Sequence, residues 1–297
     1  MDFLSIGAAK FAFEAHGSGP HVVLLHPGVG DHRVWSETTK LLPEYRTLAY
    51  DRRGFGFTES PPEPHSWVGD LLSILDARDI RQAVLVGNSQ GGRVAIDAAL
   101  AHPDRVAGLV LFGSAVSGAP WPEPTGEVRK VADDIEAAER RDDLDDVNRL
   151  EAHLWLDGPK SAEGRVSGPA RELFLDMNGR ALRAGQVGEA LPSPTAWDRL
   201  SQVPVPTLVI FGDLDVAPLR HISRTVAEQI PNAIYRELRG LAHVPQLEDP
   251  LLCAQIIRDF LGSCPEREGD EFVRTLDGGS KPGLALPVHG TNTNFER

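Results

Sequence analysis

Two kinds of hydrophobic pattern alternate along this chain. Short runs of nearly continuous apolar residues recur at 21–26 (His-Val-Val-Leu-Leu-His), 47–50, 83–86, 106–112 and 206–211. Runs of that length, rich in Val, Leu and Ile, read as strands buried on both faces. Residues 9–15 read as a further strand, closed by the turn cluster Gly17-Ser18-Gly19-Pro20, and 233–238 alternates as a shorter one. Between the strands apolar residues return every three or four positions: Trp67, Val68, Leu71, Leu72 and Leu75, then Val94 to Ala101, then 218–230. Asp249-Pro250 opens a last helix as cap and first-turn proline, and Leu252, Ile256, Ile257 and Phe260 give it an apolar face. Strands alternating with helices of this size predict an α/β fold around a parallel sheet.

The alternation stops once. Residues 118–195 contain no good strand. Pro120, Pro122 and Pro124 open the segment, one charged helical pattern runs from about Glu127 to Leu156, and a second covers Ala170–Leu182. We read a helical cap inserted over the sheet, so that residues 1–117 and 196–262 form the core and 118–195 the cap. Residues 263–297 are charged, rich in Gly and Pro, and show no core-forming period. They are expected to be a disordered or loosely docked tail.

Composition narrows the function classes. The chain has 297 residues, of which 41% are hydrophobic and 25% charged, ordinary values for a globular protein. Its net charge is −13, with no basic stripe, which argues against nucleic acid and anionic membrane surfaces as partners. No apolar run approaches about 18 residues, so no membrane span is expected. Cys253 and Cys264 form no Cys-x-x-Cys pair and have no histidine at ligand spacing, so they read as free thiols rather than a metal site. With no signal-like N-terminus, the expectation is a cytoplasmic protein, monomer or homodimer, acting on a small molecule without a cofactor.

The chemistry centres on Gly87-Asn88-Ser89-Gln90-Gly91, which lies between the strand at 83–86 and the helix pattern after it. Gly-x-Ser-x-Gly at a strand-to-helix turn is a nucleophile elbow: the serine stands at a strained apex, clear of the sheet. A serine hydroxyl needs a base to take its proton and an acid to orient that base. His243 lies in the loop between the last strand and the last helix, which makes it the candidate base; His221 falls within a helix and His102 at a helix end. Asp213 and Asp215 both follow the strand at 206–211. Asp215 is preferred, because the chain must turn at Gly212 before an acid can face the histidine loop. For an oxyanion hole the backbone N–H of Gln90 is one donor. Pro27 has no N–H, so the second is Gly28, with Val29 next in line. Val29, Trp155 and Val244 are the candidate pocket residues. Trp121, Phe174 and Trp197 are either further pocket lining or cap core. Asp51-Arg52-Arg53-Gly54 reads as structural, its charges tying loops together beside the elbow.

Taken together, residues 9–262 resemble the α/β-hydrolases. His26-Pro27-Gly28 resembles that family's oxyanion loop, Asp51-Arg52-Arg53-Gly54-Phe55-Gly56 its Asp-x-Arg-Gly-x-Gly loop, Gly212-Asp213-Leu214-Asp215 its acid turn, and Ala242-His243 with Glu248-Asp249-Pro250 its histidine segment. Pro27 and Ala242 stand where glycine is usual. The resemblance implies a mostly parallel eight-stranded sheet with helices on both faces and an inserted helical cap. It also implies an acyl-enzyme on Ser89 formed from a small, largely apolar ester or lactone. Carbon–carbon bond hydrolysis and acyl transfer on the same residues are alternatives, and so is a ligand-binding receptor on the same fold.

Overall fold

A computed structural model describes residues 1–193 and 195–263. Ser263, the first residue of the expected tail, ends the last helix; the rest of that tail, with Cys264, lies outside the described residues. The strands are β1 (Asp2–Ile6), β2 (Ala9–His16), β3 (His21–Leu25), β4 (Arg46–Tyr50), β5 (Ala83–Asn88), β6 (Val106–Phe112), β7 (Thr207–Gly212) and β8 (Ala233–Leu238). They form one eight-stranded sheet in the order β1-β2-β4-β3-β5-β6-β7-β8. β1 and β2 are antiparallel to their neighbours, and β4 through β8 run parallel. The strands expected from the apolar runs are all present. β1 is the addition: an edge strand whose residues are mostly exposed, with no buried face to leave a hydrophobic signature.

The helices are α1 (Ser36–Lys40), α2 (Trp67–Ala77), α3 (Gln90–Ala101), α4 (Gly126–Arg140), α5 (Leu144–Glu151), α6 (Pro169–Leu182), α7 (Ala217–Gln229), α8 (Pro245–Glu248) and α9 (Pro250–Ser263). α3 packs on β3, β5 and β6, and α7 on β7 and β8. β5 and β6 are buried along their whole length, as is β3 after His21. Burying each Leu or Val there contributes on the order of 1.5–3 kcal/mol. Among the described residues no helix is long and apolar enough to cross a membrane.

The sheet order positions the site. From β3 the chain steps to β4 on one side, then returns to place β5 on the other side of β3. At such a switch point the loops leaving the carboxyl ends of the two strands diverge and open a crevice. The loop after β3 carries His26-Pro27-Gly28 and the turn after β5 carries Ser89.

Between β6 and β7 the chain is helical, but the single charged helix expected from Glu127 to Leu156 is broken. Asp142 adopts φ 55°, which ends α4, and the Asp143 side chain caps α5 by accepting from Asp146 N at 3.1 Å. After α5 the helix widens into a π-turn at Ala152–Asp157. Ala138, Val147 and Leu150 form a small separate core among these helices, with Ile135 and Leu182 packed against it.

Candidate active site

Ser89 stands between β5 and α3 with φ 53° and ψ −116°, a conformation that costs a non-glycine residue about 1–3 kcal/mol. The turn holds because strand and helix pass at backbone contact. A Cβ on Gly91 would lie 2.2 Å from the carbonyl oxygen of Leu25, and one on Gly87 2.5 Å from the nitrogen of Gly92. Ser89 N donates to Phe112 O at 2.9 Å, which ties the apex to β6. The serine is half-buried, and the backbone N–H of Gln90 opens α3, where helix donors are unpaired.

Asp215 and His243 are brought together. His243 Nδ1 lies 2.8 Å from Asp215 Oδ2, and both side chains are buried. A carboxylate at Nδ1 places the proton there and leaves Nε2 as the basic nitrogen. Asp215 Oδ1 accepts from Val216 N at 2.7 Å, which locks the carboxylate plane. Asp213, the rival acid, points elsewhere and accepts from Gly240 N at 2.7 Å.

The peptide of His243 is held on both sides. Its N–H donates to Trp155 O at 3.1 Å, and its carbonyl accepts from Asn88 Nδ2 at 3.1 Å. Gln246 Nε2 in turn donates to Asn88 Oδ1 at 2.9 Å. The Trp155 ring packs on the imidazole with centroids 4.9 Å apart. Of the other candidate pocket residues, Val244 is buried beside His243 and Val29 is half-buried next to Gly28. Phe174 is fully buried, Trp197 packs against the main core, and Trp121 is exposed. A cavity of about 770 Å³ opens between residues 54–60 and α6, lined by Phe55, Leu175, Arg180 and Val187, and none of Ser89, Val29, Trp155, His243 or Val244 borders it.

A clamp that sequence reasoning missed fastens the helical insertion to the histidine loop. Arg165 Nη2 reaches Glu248 Oε2 at 2.5 Å and Leu156 O at 2.9 Å, while its Nε donates to Asp157 O at 2.7 Å and Nη1 to Gly240 O at 3.1 Å. Glu248 Oε1 accepts from Ala242 N at 2.7 Å. Glu248 belongs to a quoted motif; Arg165 lies in an irregular stretch where no periodicity points to a partner.

The loop after β3 is built on a buried arginine. Arg52 N donates to His26 Nε2 at 3.0 Å, so the imidazole proton lies on Nδ1, which donates to Pro27 O at 2.7 Å. Burial, with Arg52 alongside, holds His26 well below the usual imidazole range and therefore neutral. Arg52 Nη2 donates to the carbonyls of both His26 and Pro27 at 3.1 Å. A trans peptide sets its C=O and N–H on opposite sides. With Pro27 O turned to Arg52, the N–H of Gly28 is turned away from it, and among the described residues that N–H has no acceptor. Gly28 thus keeps an unspent backbone N–H in this loop.

Next to this loop the ligand-type atoms of Asp31, His32 and Asp51 lie within 4.8 Å of one another. They are spent on protein partners: Asp31 on Arg33, and Asp51 Oδ1 on His32 N and Nδ1 at 2.7 and 2.6 Å. Burial opposes charging His32, but the hydrogen bond and charge of Asp51, with Asp31 and Glu14, outweigh it and raise its pKa. A raised folded value means the stabilisation is complete below about pH 6.5 and is lost as the pH climbs through the folded value. We therefore expect the Tm gap between wild type and His32→Leu to be wider at pH 6 than at pH 9. Equal gaps at both would show that His32 contributes no charge.

A model described as "Alpha/beta hydrolase family" matches residues 22–256. The chain is 32% identical over 255 residues to the 2-hydroxymuconate semialdehyde hydrolase of Pseudomonas sp. (strain CF600), covering 83% of this chain and 84% of that one. The enzyme of the same name from Pseudomonas putida is also 32% identical over 255 residues, 83% of this chain and 85% of the relative. Among solved structures, the enol-lactonase from Burkholderia xenovorans LB400 superposes with a TM-score of 0.70 at 23% identity, over 88% of this chain and 100% of that one.

Proposed function

The chain belongs to the alpha/beta hydrolase family, and on that premise we propose that it is a serine hydrolase of a small, largely apolar carboxylic ester or lactone. The observation that carries this is the 2.8 Å contact between Asp215 and His243, at the sheet end where Ser89 is held at positive φ. In this reading Ser89 Oγ attacks the substrate carbonyl. The new C–O bond forms as the carbonyl π pair moves onto oxygen, and the Oγ proton passes to His243 Nε2. The oxyanion is held by the N–H groups of Gly28 and Gln90. It collapses, the C–O bond to the alcohol breaks, and the leaving oxygen takes the proton from Nε2. Water then repeats the sequence on the acyl-enzyme, with His243 again as base. Asp215 keeps the imidazole in the right tautomer and stabilises its cation. Trp155 against the imidazole, with buried Val244 next to His243 in the chain, supports an apolar acyl group.

A second reading has one specific observation in its favour. The relatives at 32% identity are named for hydrolysis of 2-hydroxymuconate semialdehyde, so the leaving atom here would be carbon rather than oxygen. The same serine, histidine and aspartate would serve.

The test is turnover of p-nitrophenyl esters from acetate to decanoate, of an aliphatic lactone, and of 2-hydroxymuconate semialdehyde, beside labelling with a fluorophosphonate. We expect label on Ser89 and the highest kcat/KM on an ester or the lactone. Preference for the semialdehyde would move the assignment to carbon–carbon cleavage. A folded protein that takes no label and turns over nothing would sink both readings in favour of a ligand-binding role.

A further inference from the structure

The side chain of Gln90 is placed in a way that its backbone role does not require. Its Oε1 accepts from Arg52 Nη1 at 3.1 Å. A guanidinium has only donors, so this contact fixes which way round the amide lies: oxygen toward Arg52, NH₂ away from it. Arg52 cannot swing. It is 2% exposed, bonded to the carbonyls of His26 and Pro27, and flanked by the rings of Phe55 and Trp67 at 4.7 and 5.1 Å.

The amide lies against Gly28. A Cβ built on Gly28 would lie 2.6 Å from Gln90 Nε2, so a side chain there would take the space the amide occupies. Among the described residues Nε2 has no hydrogen-bond acceptor. The arrangement is a rigid pair of unspent N–H donors on the residue after the nucleophile, beside the loop that carries the other oxyanion donor. Among the described residues Arg52 pairs with no carboxylate: its guanidinium donates to the amide and to the carbonyls of His26 and Pro27. A cation on the amide oxygen polarises the group and strengthens its N–H donors, and a low local dielectric enlarges that effect. Water can satisfy them in the resting enzyme, but a bound acyl group displaces that water.

We propose that the Gln90 side-chain amide is a third donor to the oxyanion formed on Ser89, held in place for it by Arg52. The inference rests on the serine-hydrolase reading and adds a side-chain donor to the two backbone ones. Its energetic character follows from charge. A neutral substrate carbonyl accepts weakly and the oxyanion strongly, so the contact acts on kcat more than on KM.

The experiment compares wild type with Gln90→Met and Gln90→Glu on p-nitrophenyl butyrate, and measures inhibition by an alkylboronic acid, which adds to Ser89 Oγ as a tetrahedral anion. Met keeps the length and loses both donors. Glu keeps the contact with Arg52, as an ion pair, and also loses both donors. For both variants we expect kcat to fall about 10²-fold, as when one oxyanion donor is removed, with KM within about threefold and boronate affinity falling in parallel with kcat/KM. A packing role would instead leave the ratio of boronate affinity to KM unchanged and lower Tm. If Gln90→Met keeps kcat within about threefold of wild type, the third donor is wrong even if Gln90→Glu is impaired, because the loss would then be repulsion by the new carboxylate. If wild type turns over neither this ester nor the other substrates named above, the serine-hydrolase reading fails and the donor goes with it.

Discussion

Ser89→Ala is expected to lower kcat by about 10⁴–10⁶ while leaving the fold intact. The size follows from what is removed. With no Oγ there is no covalent route, and only binding and the proposed oxyanion donors of Gly28 and Gln90 remain to help water attack. The fold should not notice, because the contacts that hold the apex are made by backbone. Ser89 N bonds to Phe112 O, and Ser89 O accepts from Arg93 N and Ala115 N at 3.1 Å. Alanine pays the same positive-φ cost as serine, so the strain is unchanged. Tm should therefore stay within the scatter of a surface substitution, and KM should move little. Loss of activity together with a large fall in Tm would mean that the hydroxyl is structural. Retention of more than about a tenth of wild-type kcat would remove Ser89 from the chemistry.

How much of this site could be read from the chain depends on where each piece of information is stored. The elbow is local: strand, glycine, serine, glycine and helix occupy ten consecutive residues, and the close approach of Leu25 O to Gly91 is what the glycine reports. The preference for Asp215 over Asp213 is local as well, since it turns on how the chain leaves β7. β1 left no trace because an edge strand with exposed residues needs no apolar face. The break between α4 and α5 does not show in the charged helical pattern, because Asp142 and Asp143 continue its run of acids and bases. In fact one adopts φ 55° and the other caps the next helix. The π-turn that carries Trp155 to His243 follows α5 without interruption, and helical periodicity does not distinguish it from one more helical turn. Arg165, Arg52 and the Gln90 amide are harder still. Their partners lie between 25 and 83 positions away, or in carbonyl groups that have no sequence identity. A motif marks the residues that chemistry needs, whereas the residues that orient them are chosen by the fold.

Asp215→Asn should cost nearly as much as losing the base, about 10⁴ in kcat, while Asp213→Asn should stay within about threefold of wild type. The two acids are two residues apart on one turn, and their partners decide the outcome. Asp215 Oδ2 faces His243 Nδ1, and Asp215 Oδ1 is already committed to the N–H of Val216. An asparagine there must keep its oxygen on Val216 N, which turns its NH₂ toward Nδ1. Nδ1 then becomes an acceptor, the ring proton moves to Nε2, and the nitrogen facing the serine can no longer take its proton. No charge remains to stabilise the imidazolium either. Asp213 instead accepts a single bond from the exposed backbone N–H of Gly240, which an asparagine oxygen accepts equally well. The KM of both variants should stay near the wild-type value, since neither carboxylate is placed to touch substrate. The pH profile separates the mechanism from simple damage: if the tautomer is the cause, activity of Asp215→Asn should recover in part at high pH, where a fraction of the imidazole or hydroxide can act as base. If Asp213→Asn instead carries the large loss, the acid of the triad is the one that holds Gly240, and the contact between Asp215 and His243 is structural.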